Sequence, residues 1–277
     1  MAMTSARPTR PAGSPALPAL PGRAGLAGAL RSEFTKIRSV RSTYWTLLAL
    51  VVVTVGIGAL ASAGAAARPG ELGPGFDPTQ QSLAGLYVGQ LVIVVLGALT
   101  ISSEYSTGMI STSLTALPRR GTVFAAKAVV FGAVALATGL IASFASFFLG
   151  QALMSGQHIG TTLGQPHVLR AVIGGGLFLA ACGMLAYGLG MVLRHTAAAI
   201  TAAIGLLFVA SILVNFLPQS WQGHVDKWMP AIAGGQVWAT KATDPTMFSA
   251  WTGFAVLGGY AVVALAAGLI LFRRRDA

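Results

Sequence analysis

Six long apolar runs, separated by shorter polar stretches, dominate the hydropathy pattern of this chain. Each run reaches the roughly 20 residues that an α-helix needs to cross the hydrocarbon core of a bilayer. Backbone polar groups find no water inside lipid, so each run is predicted to be helical. The predicted fold class is therefore all-α, a polytopic membrane protein with six transmembrane helices. The predicted spans are 42–67, 82–103, 121–154, 168–193, 196–217 and 250–272.

The third run is longer than a span requires, and Lys127 lies near its start. A run of this length is expected to tilt or to begin beneath the membrane. If it begins beneath the membrane, we expect the long side chain of Lys127 to extend toward lipid phosphates, as interfacial lysines do.

A helical periodicity of another kind precedes the first span. Leu26, Leu30, Phe34 and Ile37 recur at spacings of four, four and three residues and so share one face. The basic residues around them fall away from this stripe, a pattern typical of helices that lie among membrane lipids at the headgroup level. We predict an amphipathic interfacial helix over residues 24–41. An ordinary charged lead-in to the first span is the alternative.

Residues 1–23 are rich in Pro, Ala and Arg and have no apolar core. They are unlike a signal peptide and are predicted to form a disordered cytoplasmic tail. Residues 42–277 then form the six-span transmembrane domain.

Composition supports a membrane location. Only 9% of the residues are charged, whereas soluble chains carry about 25%. The net charge of +11 could indicate nucleic-acid binding, but the basic residues lie beside the ends of the apolar runs, where they fix orientation in the membrane. With the N-terminus inside, all 18 basic residues but four are on the cytoplasmic side, the four being Arg68, Arg170, Lys227 and Lys241. The predicted location is the cell (inner or plasma) membrane, with both termini cytoplasmic and no nucleic-acid partner.

The runs contain little that could perform chemistry. No Asp or Glu lies in the middle of any run, which disfavours an ion-coupled carrier. The chain has no G-x-x-x-x-G-K-[ST] string, so any nucleotide must bind another chain. The histidines are not spaced as metal ligands, and Cys182 is a lone cysteine within an apolar run. We therefore expect no catalytic residues, no cofactor and no metal, and the chain is not predicted to be an enzyme by itself.

Two further stretches have ambiguous patterns. The glycines of the fourth span give it a small-residue face, which indicates close helix packing within the chain or against a second copy. The connection 218–249 mixes tryptophans with charges, as expected of a segment that lies on the outer surface or dips back into it. An ordinary aromatic-anchored loop is the alternative for this connection.

The stretch from Glu104 to Lys127 differs most from the rest of the chain. It is rich in hydroxyls, is interrupted by glycine and Pro118, and lies between the second and third runs. With the N-terminus inside, it is a cytoplasmic connection that is polar enough to dock on something outside the bilayer.

At this stretch the chain resembles the membrane subunits of ABC transporters of the type-two exporter permease family. The matching residues are Glu104, Gly108, Leu114, Pro118, Arg119, Arg120 and Lys127. The six-span layout and the segment 31–36 before the first span are similar as well. The resemblance implies a permease that forms the substrate pathway and pairs with a separate ABC ATPase subunit, which binds the ATP. It also implies that the loop 104–120 couples the two subunits and that a second permease subunit, most simply an identical one, completes the complex.

Two other functions fit the residues. One is a secondary transporter that works without an ATPase, and the other is a non-transporting membrane component for assembly or signalling. The uncharged interior of the runs favours amphipathic or lipid-like cargo over small ions.

Overall fold

The computed structural model describes residues 25–106, 120–241 and 245–274. Within these ranges the regular secondary structure is entirely helical, and six helices are long and apolar enough to cross a membrane. This confirms the predicted fold class. The tail predicted at residues 1–23 lies outside the described residues.

Eleven α-helices are described in these ranges. They are α1 (Leu26–Ser39), α2 (Arg41–Ala67), α3 (Pro78–Ser82), α4 (Leu86–Ser106), α5 (Arg120–Ser155), α6 (Val168–Leu193), α7 (Thr196–Ile204), α8 (Ala210–Val214), α9 (Gln219–Asp226), α10 (Pro230–Gly235) and α11 (Ala250–Arg274). A π-helical turn, Gly205–Val209, joins α7 to α8, and a 3-10 turn, Gln236–Trp238, follows α10. The six spans are α2, α4, α5, α6, the α7–α8 pair and α11.

The second span differs from its predicted bounds at both ends. It begins at Leu86 because Asp77 caps a separate short helix, α3, by accepting hydrogen bonds from the backbone N–H groups of Thr79 and Gln80. Its C-terminal end extends to Ser106, so Glu104 lies on a helix and not in a loop. The described residues on either side of 107–119 are therefore helical.

Helix α6 lies at the centre of the bundle and packs against α4, α5 and α11. Its glycines allow these close contacts. A Cβ atom at Gly176 would lie 2.8 Å from the backbone nitrogen of Leu140 on α5. The small-residue face of the fourth span is therefore used within the chain, where small side chains let helix backbones approach each other.

Helices α2, α3 and α5 meet at a set of buried or partly buried polar residues, here called the polar seam: Thr54, Ser62, Ser82, Ser146 and Gln151. The Ser146 hydroxyl donates to the Ser82 carbonyl at 2.6 Å, and the Gln151 amide donates to the Ser82 hydroxyl at 2.7 Å. A Cβ atom at Gly58 would overlap both the Ser146 hydroxyl and the Ser82 carbonyl. The three helices are therefore in contact at the level of their backbones.

The long connection between the fifth and sixth spans is only partly exposed. Trp221 and Trp228 lie on the surface, but Trp238 is buried in the core. The segment from Pro230 to Trp238 is inserted between α6 and α11, where the carbonyl of Val237 packs against Gly174. This packing places the aromatic segment inside the bundle along part of its length.

Candidate functional site

The most charged buried feature of the described residues is a group of four side chains from three helices. We call it the charge cluster: Glu33 and Lys36 on α1, Glu104 on α4 and Lys127 on α5. The Nζ atom of Lys127 donates to Glu33 Oε2 at 2.9 Å and to Glu104 Oε1 at 2.6 Å. Lys36 Nζ lies 2.9 Å from Glu33 Oε1 and 3.9 Å from Glu104 Oε1. Two cations and two carboxylates thus form a connected group with no net charge.

Burial makes this arrangement energetically demanding. The exposed fractions of the side chains are 4% for Lys127, 10% for Glu33 and 13% for Glu104. Moving such charges out of water costs several kcal/mol per ion, and the cost is offset only when each charge has well-placed partners. Lys127 has two carboxylate partners, so its charge is compensated although it is buried.

The position of Glu33 follows from the helical repeat of α1. Ala29, Glu33 and Lys36 recur at spacings of four and three residues and form one face of the helix. Ala29 and Glu33 are the buried residues of α1, and this face packs against α5. The small side chain of Ala29 allows the close approach that brings the Glu33 carboxylate to Lys127.

The apolar stripe of α1 lies on another side of the helix. Leu26 and Phe34 are about half exposed, and Leu30 and Ile37 are partly buried. The stripe is displaced from the buried face by one residue, which is about 100° around the helix. Helix α1 therefore contacts the bundle through small and charged residues and leaves most of its apolar surface outward.

The environment of Lys36 favours its charged form. Burial by itself lowers the pKa of Lys36, but the hydrogen bond to Glu33 and the nearby carboxylates of Glu104 and Glu33 outweigh it, so the pKa is raised above its usual value. Lys36 thus remains protonated throughout the physiological range and contributes a constant positive charge to the cluster.

A cavity of about 380 Å³ lies beside the cluster. Glu104, Lys127 and Lys36 line it at one side, and Leu96 and Leu99 of α4 are among its apolar walls. The space shows that α1 and α4 face each other across a gap at this point. The contact between them is made by the tips of charged side chains, which can separate without opening a packed core.

The structure brings together two of the sequence-predicted coupling residues, Glu104 and Lys127. Gly108, Leu114, Pro118 and Arg119 lie outside the described residues. Arg120 is the first residue of α5.

The predicted orientation of Lys127 toward lipid phosphates is wrong. Its ammonium group is buried and paired with Glu33 and Glu104, because the start of α5 is covered by α1.

Glu33 and Lys36 were not predicted as site residues. One signal was available in the sequence: Glu33 is the single acidic residue among the basic residues of the 24–41 segment. An acidic side chain in a helix that otherwise suits anionic headgroups indicates a cationic partner within the protein. The sequence does not identify that partner, which is 94 residues away.

No group of three or more His, Cys, Asp or Glu side chains that could hold a metal ion is found in ranges 25–106, 120–241 and 245–274. Cys182 is a free thiol buried in α6. The described part of the site is therefore organised by ion pairs and hydrogen bonds.

A family model described as an ABC-2 family transporter protein matches residues 29–221. The matched region contains all four residues of the charge cluster and the first five spans, and it ends before α11. No curated protein matches the chain.

Proposed function

Because the chain belongs to the ABC-2 family of transporter proteins, we propose that it is the permease subunit of an ATP-driven exporter whose ATPase is a separate chain. The spans form the substrate pathway, and ATP is bound and hydrolysed by the partner. Coupling between the two runs through residues 104–120.

The observation that carries this proposal is the position of the charge cluster. Glu104 lies two residues before the end of α4, and Lys127 lies in the second turn of α5. These two helices flank the polar stretch 107–119. Their ion pair at 2.6 Å joins the helices that enter and leave this stretch, and Glu33 adds α1 to the same group.

Such a connection suits the transmission of a displacement. A force applied by an ATPase to residues 107–119 acts on the end of α4 and on the start of α5 together. Since the Lys127 ammonium holds carboxylates of α1 and α4, a shift of α5 changes the distances to both helices. Removing one partner of a buried ion pair costs about 3–5 kcal/mol, which sets the scale of the free energy that such a displacement must supply.

In the proposed topology this end of the bundle is cytoplasmic. The Arg273 guanidinium group lies next to Gly121, so the end of α11 and the start of α5 are neighbours. The basic residues that precede α2 and those that end α11 therefore lie at the same end of the molecule as the charge cluster, as the positive-inside rule requires of the cytoplasmic side. Insertion in the cell membrane with both termini inside follows from the same rule.

We expect the working complex to contain two permease subunits, most simply two copies of this chain, and two ATPase subunits. The apolar stripe of α1 is expected to contact membrane lipids.

The coupling role is tested by co-expressing the chain with an ABC ATPase that co-purifies with it and comparing Glu104→Gln with Glu71→Gln. Glu71 is an exposed acid at the opposite end of the bundle, 3.8 Å from Arg68. We expect Glu104→Gln to keep the complex assembled but to lower the number of substrates exported per ATP, while Glu71→Gln behaves as wild type. Equal export per ATP in the two variants would overturn the coupling assignment.

A second variant, with Arg119 and Arg120 both changed to Ala, tests the stretch itself and keeps all four residues of the charge cluster. Loss of ATPase binding is the expected result. Export by proteoliposomes that contain the chain and no ATPase would instead establish a secondary transporter.

The orientation is tested by labelling Ser113→Cys in intact cells with a membrane-impermeant maleimide. Cys182 is buried, so the wild-type chain serves as the unlabelled background. We expect labelling only after the membrane is opened. Labelling of intact cells would place the 107–119 stretch outside and end the proposal.

A further inference from the structure

A second cavity, of about 440 Å³, lies at the end of the bundle opposite to the charge cluster. Its walls come from α4, α6, the π-helical turn with α8, and the inserted segment that follows the fifth span. The volume falls within the range of about 300–1,000 Å³ that is usual for small-molecule sites. We call it the outer cavity.

Two polar atoms of residues that line the outer cavity are buried and have no hydrogen-bond partner within the described part of the chain. They are Oε1 of Gln90, an acceptor, and Nε1 of Trp238, a donor. Gln90 is 3% exposed and Trp238 is 2% exposed. Buried polar atoms in native proteins are nearly always satisfied, and each exception requires an explanation such as a bound molecule.

Both unpartnered atoms are held in position by their neighbours. The Gln90 amide nitrogen donates to the carbonyl of Tyr87 at 3.1 Å, which leaves the amide oxygen available. The Trp238 ring is contacted edge to face by Tyr87, with ring centroids 5.0 Å apart. Two fixed groups of opposite hydrogen-bonding character are the kind of polar contacts that orient a ligand in an otherwise apolar pocket.

Two other polar residues of the lining already donate within the chain. The Ser211 hydroxyl donates to the Leu207 carbonyl at 3.0 Å, and the Gln236 amide donates to the Ile232 carbonyl at 3.3 Å. The side chains of Gln80 and Tyr87 also line the cavity, and both are accessible to solvent. Gln90 and Trp238 differ from these residues because their unpartnered polar atoms are buried.

Most of the remaining wall is apolar, and none of the described residues that line the cavity is Asp, Glu, Lys or Arg. Phe178, Leu207 and Phe208 are among the residues that supply this surface. A charged molecule would lose its hydration here without gaining an ionic partner, which is strongly unfavourable. A neutral molecule with an apolar body would instead bury that body against the lining.

The backbone around the cavity is fixed before any ligand arrives. The Val237 carbonyl packs so closely on α6 that a Cβ atom at Gly174 would lie 2.6 Å from it. Leu207 and Phe208 lie on the π-helical turn Gly205–Val209, and π-helical turns occur frequently at functional sites.

From these observations we infer that the outer cavity binds an uncharged amphipathic molecule with a flat apolar body, one hydrogen-bond acceptor directed to Trp238 Nε1 and one donor directed to Gln90 Oε1. The inference rests on the proposed function and names the substrate class of the permease. The charged residues at the other end of the bundle then take part in coupling and do not select the cargo.

The test uses three probes of one shape with the purified full-length chain in detergent: 2-naphthamide, 2-naphthoate and naphthalene. The first is neutral with a donor and an acceptor, the second is an anion, and the third has no hydrogen-bonding group. We expect 2-naphthamide to bind at least about tenfold more tightly than either of the others, measured by equilibrium dialysis. Equal binding of naphthoate would overturn the neutral class, and equal binding of naphthalene would show apolar partitioning only.

Two variants locate the binding. Gln90→Leu and Trp238→Phe each replace a residue that has an unpartnered polar atom with an apolar residue. Each variant is expected to weaken 2-naphthamide binding by about tenfold. Neither variant is expected to change naphthalene binding, which serves as the measure of an intact fold. Unchanged amide binding in both variants would exclude these contacts.

A filling variant provides an independent check. A Cβ atom at Gly235 meets only Trp238 Nε1, at 3.7 Å, so Gly235→Leu can be built into the outer cavity without a backbone clash. Gly64→Leu, at a position with open space around it, is the matched control. We expect loss of 2-naphthamide binding in the first variant alone, and binding retained by Gly235→Leu would overturn the site. The measurements need no ATPase, so a failure here leaves the coupling experiment with Glu104→Gln to be decided separately.

Discussion

The two ends of the bundle bury polar groups in different ways. At one end the charge cluster joins three helices through the tips of four long side chains, with Lys127 at its centre. At the other end the polar seam joins helices through short hydroxyls and close backbone contacts, as between Ser146 and the Ser82 carbonyl. Helix α5 takes part in both.

The difference separates two mechanical roles. Contacts between side-chain tips can be broken by moving one helix by a few ångströms, and charged groups that are released can be hydrated by water. Where a glycine allows close approach of two helices, neither helix can shift in this way, because protein interiors are close-packed. We therefore expect α5 to be held firmly by α2 and α3 at the seam and to have movable partners at the cluster.

The largest effect is expected from Lys127→Ala. This change leaves two buried carboxylates, Glu33 and Glu104, with the partly exposed Lys36 as the one remaining cation of the charge cluster, which should lower the free energy of unfolding by about 3–5 kcal/mol. Thermal unfolding of the purified protein in detergent measures it. Lys241→Ala is the control, since Lys241 is exposed and donates to the Phe76 carbonyl at 3.0 Å. Equal losses in the two variants would mean that the cluster is no more than a surface charge group.

Glu33→Gln sharpens the comparison by separating α1 from the bundle. Lys127 keeps Glu104 as its partner, and the single oxygen of the Gln side chain can accept from Lys127 or Lys36 where the carboxylate accepts from both, so the loss should be limited to about one charged hydrogen bond, about 1.5–3 kcal/mol. Amide hydrogen exchange of α1 should accelerate while that of α5 near the seam stays unchanged. Faster exchange in both regions would contradict the separation of roles.

Gly58→Ala tests the seam with a single methyl group. Its Cβ atom would overlap the Ser82 carbonyl, and forcing α2 away from α3 and α5 should cost about 1–3 kcal/mol. Gly56→Ala, two residues earlier on the same helix, meets nothing within 4 Å and should be neutral or slightly stabilising. The melting temperatures of the two variants are compared. A loss in Gly58→Ala alone indicates close packing at Gly58, whereas equal losses would indicate a general requirement of α2 for glycine.

Ser146→Ala removes the hydroxyl that bridges α5 to the Ser82 carbonyl at 2.6 Å. The expected loss is about 1 kcal/mol, the net value of one neutral hydrogen bond. A loss as large as that of Lys127→Ala would show that the seam also depends on electrostatics. The measurement is again thermal unfolding, compared with Ser155→Ala, whose exposed hydroxyl donates within its own helix.

The smallest effect is the pH dependence due to Lys36. Its folded-state pKa is raised above the ordinary pKa of a lysine, so its contribution to stability is fully present below that ordinary value and is lost as the pH rises through the folded-state pKa. The difference in melting temperature between wild type and Lys36→Met should therefore be constant from about pH 7 to pH 9 and shrink only in the alkaline range. Solvent screening keeps the difference small, because Lys36 is partly exposed. A difference that changes near neutral pH would point to another group.

Much of the fold follows from the sequence because a helix that crosses a membrane must be about 20 residues long and mostly apolar. The fourth span was predicted at 168–193 and is found at Val168–Leu193. The start of the second span was less predictable. Ser82 was assigned to this span by its place in a mostly apolar stretch, but the Asp77 cap makes it part of a separate helix.

The site was predictable only in part. Glu104 and Lys127 were identified as charges beside a polar stretch, but their mutual contact and the participation of Glu33 depend on how three helices pack. Hydropathy treats a lysine near a span end in the same way whether it faces phosphate or carboxylate, which is why the orientation of Lys127 was predicted wrongly. The burial of Trp238 was missed for a similar reason, since tryptophan near a membrane surface usually marks the interface.

The pairing of Glu33 with Lys127 also sets an order of events during biosynthesis. The two residues are 94 positions apart, so at about 5–20 residues per second the carboxylate emerges from the ribosome roughly 5–20 s before its cation. In that interval the outward apolar stripe of α1 can keep the nascent helix adsorbed to the lipid surface. Docking of α1 through Glu33 must therefore wait until the start of the third span has been made, and until then Lys36, 2.9 Å from Glu33 on the same helix, compensates the charge of the carboxylate.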